Sequence, residues 1–383
     1  MKISSATNKI TPSLTRKLFN MAQKYTDVVD LTLGDPDLAP PDAVKLAACD
    51  AIQENHTHYS ANAGLCEVRK SVSKRVKKIW EIESGEENVM LTVGGMEALY
   101  LSLLCMLDKD DEVIIFAPFY VNYVQMVGMC GGKPVIIDAY GKNGFEITKE
   151  QILEKITDKT VAIIINSPNN PTGDVLSDNF LQAVYDAACE KDLYIISDEV
   201  YRTLTYDNKK HLSILQFPDA YKRTILIDSM SKEYSMTGWR IGYAWAQESF
   251  IQTMTKVQEN IAACVSLPSQ YAMLYAYEND ISNDYIVSEF ETRRNFLYEK
   301  ICGIEKLSCV KPQGTFYMFV SIEKTGLKSE EFAERLLLEK HVAVVPGKAY
   351  GDNYDCYIRI AFTKPGDVLA DAVDKIKEFV NQL

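Results

Sequence analysis

No run of about 18 consecutive apolar residues occurs in the 383-residue chain, so a membrane-spanning helix is not expected. The N-terminus, MKISSATNKITPSLTRKLF, lacks the continuous apolar core of a secretory signal, and the cytoplasm is the expected location. Histidine is scarce. The four present show no second ligand cluster, and His56 and His58 merely precede Tyr59, so no metal site is expected. Basic charge is in deficit, 41 Lys and Arg against 53 Asp and Glu, and the formal charge of -12 disfavours nucleic acid or an anionic membrane as partner. The nine cysteines, at 49, 66, 105, 130, 189, 264, 302, 309 and 356, show no paired ligand spacing. Several sit inside apolar runs, which reads as reduced core thiols. Repeats, low-complexity segments and Ser/Gly linkers are missing, as are the dinucleotide G-x-G-x-x-G and the P-loop lysine.

What remains is an ordinary globular composition, 47% hydrophobic and 25% charged, in a chain long enough for two or three domains. From about 87 to 246, seven short apolar runs alternate with helix-length segments: NVMLTVGG, DEVIIFAP, KPVIID, TVAIIINSP, LYIISDE, TILIDSMS and IGYAWA. The pattern predicts an α/β large domain, a mostly parallel seven-stranded sheet flanked by helices. After about 285 the grammar changes to strand-like GTFYMFVSI, helical SEEFAERLLLEK, strands VAVVPG and CYIRIAFT, and a closing helix with Leu369, Val373, Ile376 and Val380 on one stripe. We expect an arm and part of the small domain over 1–45, a large domain over 46–285 and a small α+β domain over 286–383.

Nearly every strand candidate ends in a polar or Gly/Pro-bearing stretch, the place where open α/β sheets bind ligands. In SMSKEYSMTGWRIGY, residues 229–243, Ser229, Ser231, Lys232 and Arg240 crowd together, a set suited to gripping a phosphate and presenting an amine to a carbonyl. TVGGMEAL opens a helix after a strand, which makes the N–H groups of Gly95 and Met96 an anion site. Asp198 ends the apolar run LYIIS, a costly place for a carboxylate without a cation. Tyr201 follows three residues on, Asn170 precedes Pro171 in NSPNNPTG, and Tyr120 in APFYVNY offers a flat ring. Arg359 lies mid-strand in CYIRIAFT and needs an anion, either a protein carboxylate or a substrate's. Singly, each has an ordinary structural explanation. Together they match one ligand, pyridoxal 5'-phosphate: a phosphate for Gly95, Met96, Ser229, Ser231 and Arg240, a ring nitrogen for Asp198, a phenolic oxygen for Asn170 and Tyr201, and an aldehyde for Lys232.

On LTLGDPD, HYSANAGLCEVR, TVGGMEAL, APFY, NSPNNPTG, SDEVY, SMSKEYSMTGWRIGY, QGTFYMF and YIRIAF, in that order, the chain resembles the class I/II pyridoxal-phosphate aminotransferases of fold type I. The resemblance implies that Lys232 forms the internal Schiff base and that Arg240 binds the phosphate. It gives Asp198 to the pyridinium nitrogen, Tyr201 and Asn170 to the phenolic oxygen, and Tyr120 to stacking on the ring. Arg359 would clamp the substrate's α-carboxylate with the backbone at Gly34 closing over it. Tyr59 would reach the cofactor phosphate of a neighbouring subunit, which implies a homodimer. The implied reaction is ping-pong transfer of an amino group between an L-amino acid and a 2-oxo acid, with 2-oxoglutarate and glutamate as one pair.

The chain departs from aspartate-active relatives in one respect: those often carry Lys where Met96 stands, and a thioether cannot replace that charge. Neutral or aromatic donors are therefore expected. Lys348 in VPGKAYG is either a distal cation or a solvated surface charge. Three other functions compete: a carbon–sulfur β-lyase on the same fold, a ligand-sensing module of a regulator, and a nucleotide binder without covalent chemistry.

Overall fold

Seven strands between residues 89 and 245 form one sheet in the computed structural model, which describes Leu18, residues 20–22 and residues 24–383. Residues 1–17, 19 and 23 of the expected arm lie outside the described residues. The strands are β1 (Val89–Thr92), β2 (Glu112–Ala117), β3 (Lys133–Asp138), β4 (Thr160–Asn166), β5 (Tyr194–Asp198), β6 (Thr224–Ser229) and β7 (Gly242–Trp245), in the order β1-β7-β6-β5-β4-β2-β3. All neighbours run parallel except β7, which is antiparallel to both β1 and β6.

Because side chains alternate across a strand, the Ile/Val runs feed two cores at once. In β4, Ile163 and Ile165 pack on one face with Val68, Val72, Phe180 and Val184, while Ala162 and Ile164 pack on the other with Leu99, Leu103 and Met254. The helices that supply these residues are α2 (Cys66–Trp80), α3 (Gly94–Met106), α4 (Asp178–Glu190) and α5 (Glu248–Ile261), which follow α1 (Asp42–Gln53) in the chain. Helix α4 starts where Ser177 Oγ accepts the Phe180 N–H (3.2 Å), the usual side-chain satisfaction of an orphan first-turn donor. Helix α6 (Leu267–Glu278) packs on α1.

A third core gathers α7 (Asp284–Cys302), α8 (Ser329–Lys340), α9 (Gly366–Asn381) and the antiparallel sheet β8 (Ser308–Cys309), β9 (Tyr317–Ser321), β10 (Val345–Pro346) and β11 (Tyr357–Ala361), in the order β8-β9-β11-β10. Leu369, Val373, Ile376 and Val380 of α9 are all buried in it, as the stripe requires. Leu18, Ala22 and Leu31 from the N-terminal part join this core, and so do Tyr201, Leu204 and Tyr206.

Two expectations need correction. VAVVPG is two short pairings: Val342–Ala343 runs parallel to Val29–Asp30, and after Val344 the chain changes partner so that β10 pairs with β11. The nine cysteines are free but do not form a core. Cys49, Cys66, Cys189 and Cys302 are exposed and the other five half-buried.

Candidate active site

Asn166, Asp198 and Ser229 are the last residues of β4, β5 and β6, so three adjacent parallel strands deliver their terminal side chains to one rim. A cavity of about 460 Å³ opens there, within the range that holds a small ligand. Its walls contain Gly34, Gly95, Met96, Tyr120, Asn170, Asp198, Tyr201, Ser229, Ser231, Lys232, Arg240 and Arg359, every residue the sequence singled out for the site except Tyr59. Tyr59 is 89% exposed and stands apart from the cavity in the single chain.

One end of the cavity is an anion cradle. Helix α3 begins at Gly94, and a helix's first N–H groups have no acceptor within it. Ser229 caps the short helix Met230–Glu233: its Oγ accepts the Ser231 N–H (3.1 Å) and lies 2.8 Å from Ser231 Oγ. Arg240 donates to the carbonyls of Thr237 (2.9 Å) and Val93 (3.2 Å), which holds its guanidinium beside the start of α3. A side chain at position 94 would be strained. Its φ is +71°, and a Cβ there would come within 2.6 Å of Arg240 Nη2.

Lys232 Nζ donates to the Gly34 carbonyl (2.7 Å) and sits 5.3 Å from the Phe316 ring centroid. Burial, with Arg240 and Arg359 nearby, brings its pKa down to about 8, against the opposing pull of Asp35 and Asp198. Gly34 is fixed by crowding, since a Cβ would lie 1.7 Å from the Tyr317 hydroxyl. The segment around it is tied down on several sides. Thr237 Oγ1 donates to Asp35 (2.5 Å), Thr363 Oγ1 to the Leu33 carbonyl (3.0 Å), and Arg293 to Asp37 (2.7 Å).

Asp198 is buried, and its side-chain partners are neutral: the Tyr123 hydroxyl donates to Oδ2 (2.6 Å) and the Val200 N–H to Oδ1 (3.4 Å). Burial pushes its pKa up to about 6, with Asp228 and Glu199 adding to the shift and the two hydrogen bonds opposing it. Tyr123 was not foreseen. It lies three residues after Tyr120 in FYVNY, and the only hint was that helical spacing. The Tyr201 hydroxyl donates to that of Tyr317 (3.3 Å), and burial raises the Tyr201 pKa well above the phenol range.

Arg359 is 5% exposed, yet among the described residues no carboxylate pairs with it. Nη1 donates to Asn170 Oδ1 (3.0 Å), Nη2 to the Thr32 carbonyl, and the Tyr317 ring centroid is 4.2 Å away. Its buried Nε has no hydrogen-bond partner among the described residues. At the protein-carboxylate or substrate-carboxylate choice posed by the sequence, the partners found are neutral oxygens. Tyr120, Met96 and Asn122 form a small uncharged cluster: Asn122 Nδ2 donates to the Tyr120 hydroxyl (2.9 Å), and that hydroxyl is 3.5 Å from Met96 Sδ. Lys348 is outside the cavity, 46% exposed and 3.5 Å from Glu330, as a surface charge would be.

The comparison with known proteins decides the family. Residues 26–376 match the model of the aminotransferases of class I and II. The chain belongs to that family. It is 37% identical to the aspartate aminotransferase of Bacillus subtilis (strain 168), with 100% of each chain covered. It is 36% identical to aromatic-amino-acid aminotransferase 2 of Thermococcus litoralis, covering 100% of this chain and 99% of that one. The crystal structure of aspartate aminotransferase from Thermotoga maritima superposes with a TM-score of 0.93 at 34% identity, covering 99% and 100% of the two chains. The protein is thus an aminotransferase, and its cofactor is pyridoxal 5'-phosphate.

The aminotransferase's cavity fits that group on its own chemistry. A buried carboxylate with neutral partners suits a protonated ring nitrogen, a buried amine near neutrality suits an aldehyde, and the cradle of N–H groups, hydroxyls and Arg240 suits a phosphate.

Proposed function

We propose that this aminotransferase moves the amino group between a neutral or aromatic L-amino acid and a 2-oxo acid, with 2-oxoglutarate and glutamate as one pair, in a ping-pong cycle. One observation carries the reading. Among the described residues, buried Arg359 meets neutral oxygens and leaves Nε without a hydrogen bond, ready for an α-carboxylate, whereas Met96, Tyr120 and Asn122 on the same cavity carry no charge for a second one. A distal carboxylate would meet neutral donors instead.

Pyridoxal 5'-phosphate supplies an aldehyde that carries the amino group and a ring that withdraws electrons from the substrate's α-carbon. Ser229, Ser231, Arg240 and the N–H groups of Gly95 and Met96 would hold its phosphate. Asp198 would keep a proton on its ring nitrogen, Asn170 and Tyr201 would serve its phenolic oxygen, and Tyr120 would offer its ring for stacking. Arg359 orients the substrate's carboxylate, and Gly34 leaves room for it. Lys232 would present its amine to the aldehyde and, once free beside the substrate's α-carbon, would serve as the base that moves the α-proton. Its lowered pKa, about 8, suits that task near neutral pH.

Two apolar cores on the faces of the large sheet and a third against the small one support reading residues 46–285 and 286–383 as two domains with 1–45 as arm and part of the second. An exposed Tyr59 supports a homodimer in which it reaches the partner's phosphate. Among the described residues no helix is long and apolar enough to cross a membrane, and we assign the protein to the cytoplasm.

Two outcomes follow for solution work. Capture of the cofactor by protein stripped of it requires a neutral Lys232 amine, so its rate should rise about tenfold per pH unit below about 8 and level off above. Stopped-flow absorbance between pH 6 and 10 (roughly the range spanning that titration) checks this, and a rate falling with pH would contradict it. A panel of amino donors with 2-oxoglutarate, scored by half-reaction spectra, should rank aromatic or neutral donors above aspartate in kcat/KM. Met96→Lys should then raise kcat/KM for aspartate roughly 10- to 100-fold by adding one charged hydrogen bond. Aspartate as the best donor of the parent protein, or pyruvate and ammonia released without an acceptor, would overturn the proposal.

A further inference from the structure

Cys302 closes helix α7, and Cys309 lies on β8, the edge strand of the smaller sheet. The six residues between them fold back in a tight turn: the Ile304 N–H bonds the Ile301 carbonyl (3.0 Å) and the Leu307 N–H bonds the Ile304 carbonyl (2.9 Å), with both side chains buried in the third core. That turn sets the two Sγ atoms 3.9 Å apart. A disulfide needs about 2.05 Å, a closure within reach of side-chain rotation at an exposed helix end and a sheet edge.

We propose that Cys302 and Cys309 are a dithiol oxidation site that takes a hydroperoxide as oxidant and closes to an intramolecular disulfide. Cys302 is exposed and meets the oxidant first. Its thiolate attacks one oxygen of the hydroperoxide; an S–O bond forms, the O–O bond breaks, and the other oxygen leaves as an alcohol or water after taking a proton. Cys302 has then lost two electrons and is a sulfenic acid. Cys309 sulfur next attacks Cys302 sulfur, forming the S–S bond and breaking S–O, and the departing hydroxyl takes the Cys309 proton as water. Two thiols and one hydroperoxide thus yield one disulfide, one alcohol and one water.

The two cysteines divide the work by environment. Burial holds the Cys309 thiol well above its usual pKa, and the neighbouring Cys302 sulfur adds to the shift, so Cys309 is a poor first nucleophile. As the second it has the advantage of being already in place. The other exposed thiols, Cys49, Cys66 and Cys189, lie on three different helices, α1, α2 and α4. Cys309 faces Val320 in the sheet register, next to Phe319, whose ring stacks on Tyr357 at 4.7 Å. The bond would therefore pin the end of α7 to the sheet that carries Arg359.

Trypsin cuts between the two cysteines at Lys306, which makes the test direct. The cofactor-loaded enzyme is treated with stoichiometric hydrogen peroxide, alkylated, and digested without reductant. Peptides 301–306 and 307–324 should appear as one disulfide-linked species that accounts for most of Cys302 and vanishes with dithiothreitol. Cys302→Ser should abolish the species, leave Cys309 alkylated and leave turnover unchanged. Cys309→Ser should strand Cys302 as a sulfenic acid that dimedone traps. Recovery of both cysteines alkylated while Cys49, Cys66 or Cys189 is oxidised would overturn the assignment, as would Cys302 joined to any other cysteine.

Discussion

Replacing Lys232 with alanine should lower turnover about 10⁴-fold or more, since it removes both the amine that meets the aldehyde and the base that moves the α-proton. The loss should fall on kcat and on single-turnover rates. Arg359, Asp198 and the phosphate cradle remain, so binding of cofactor and substrate should survive. The loss should also not be an unfolding effect. Burial holds the Lys232 pKa below that of an unfolded lysine, so at neutral pH its charge opposes the native state and its removal relieves that cost. The stripped variant should melt no lower than the stripped parent at pH 7 (about the neutral point of these linkages). A variant that unfolds, or that keeps a tenth or so of parental turnover, would be inconsistent with catalytic work at this amine.

Asp198→Asn should cost roughly 10²- to 10³-fold in kcat with a small change in KM, because a buried carboxylate facing a protonated ring nitrogen is replaced by a neutral isostere. Tyr123 can still donate to the amide oxygen, so the side chain should stay in place. The sign of the stability change is again diagnostic. The folded-state pKa of Asp198 is raised to about 6 by burial, so above that pH its ionised form destabilises the stripped protein, and asparagine removes the penalty. Below about pH 4, where the carboxyl is protonated in both folded and unfolded chains, the two should melt alike. Cofactor supplies the missing positive partner, so its stabilising effect on melting should be larger in the parent than in the variant. Equal turnover of the two proteins would remove Asp198 from the mechanism. Lys232 and Asp198 thus carry the same physical signature: each is buried against its own charge, a stability cost that functional sites commonly bear.

The sequence made the large sheet legible because Ile and Val dominate runs such as VAIIIN, and such runs fit strands buried on both faces. The site was legible for a related reason. Asp198 and Ser229 stand where apolar runs stop, and a carboxylate or hydroxyl there stands out against its neighbours. Tyr123 did not stand out, since an aromatic after a strand is usually core packing and only the fold reveals its hydroxyl 2.6 Å from Asp198. The Thr237–Asp35 bond joins positions 202 apart, a distance no local pattern spans. The cysteines misled for a physical reason as well: apolar neighbours in the chain do not say which way a small thiol turns. The Cys302–Cys309 contact depends on a helix end folding back onto a sheet edge. Tyr59 is exposed in the single chain, so the role the resemblance implies for it would need a second copy.

The central claim is that the amine at 232 holds the cofactor. Borohydride reduction of the loaded enzyme, followed by digestion and mass mapping, tests it most directly. The absorbance band of the bound cofactor should be lost, and the reduced adduct should be found on Lys232 and on no other lysine. An unmodified Lys232, or an adduct at any other position, would contradict it.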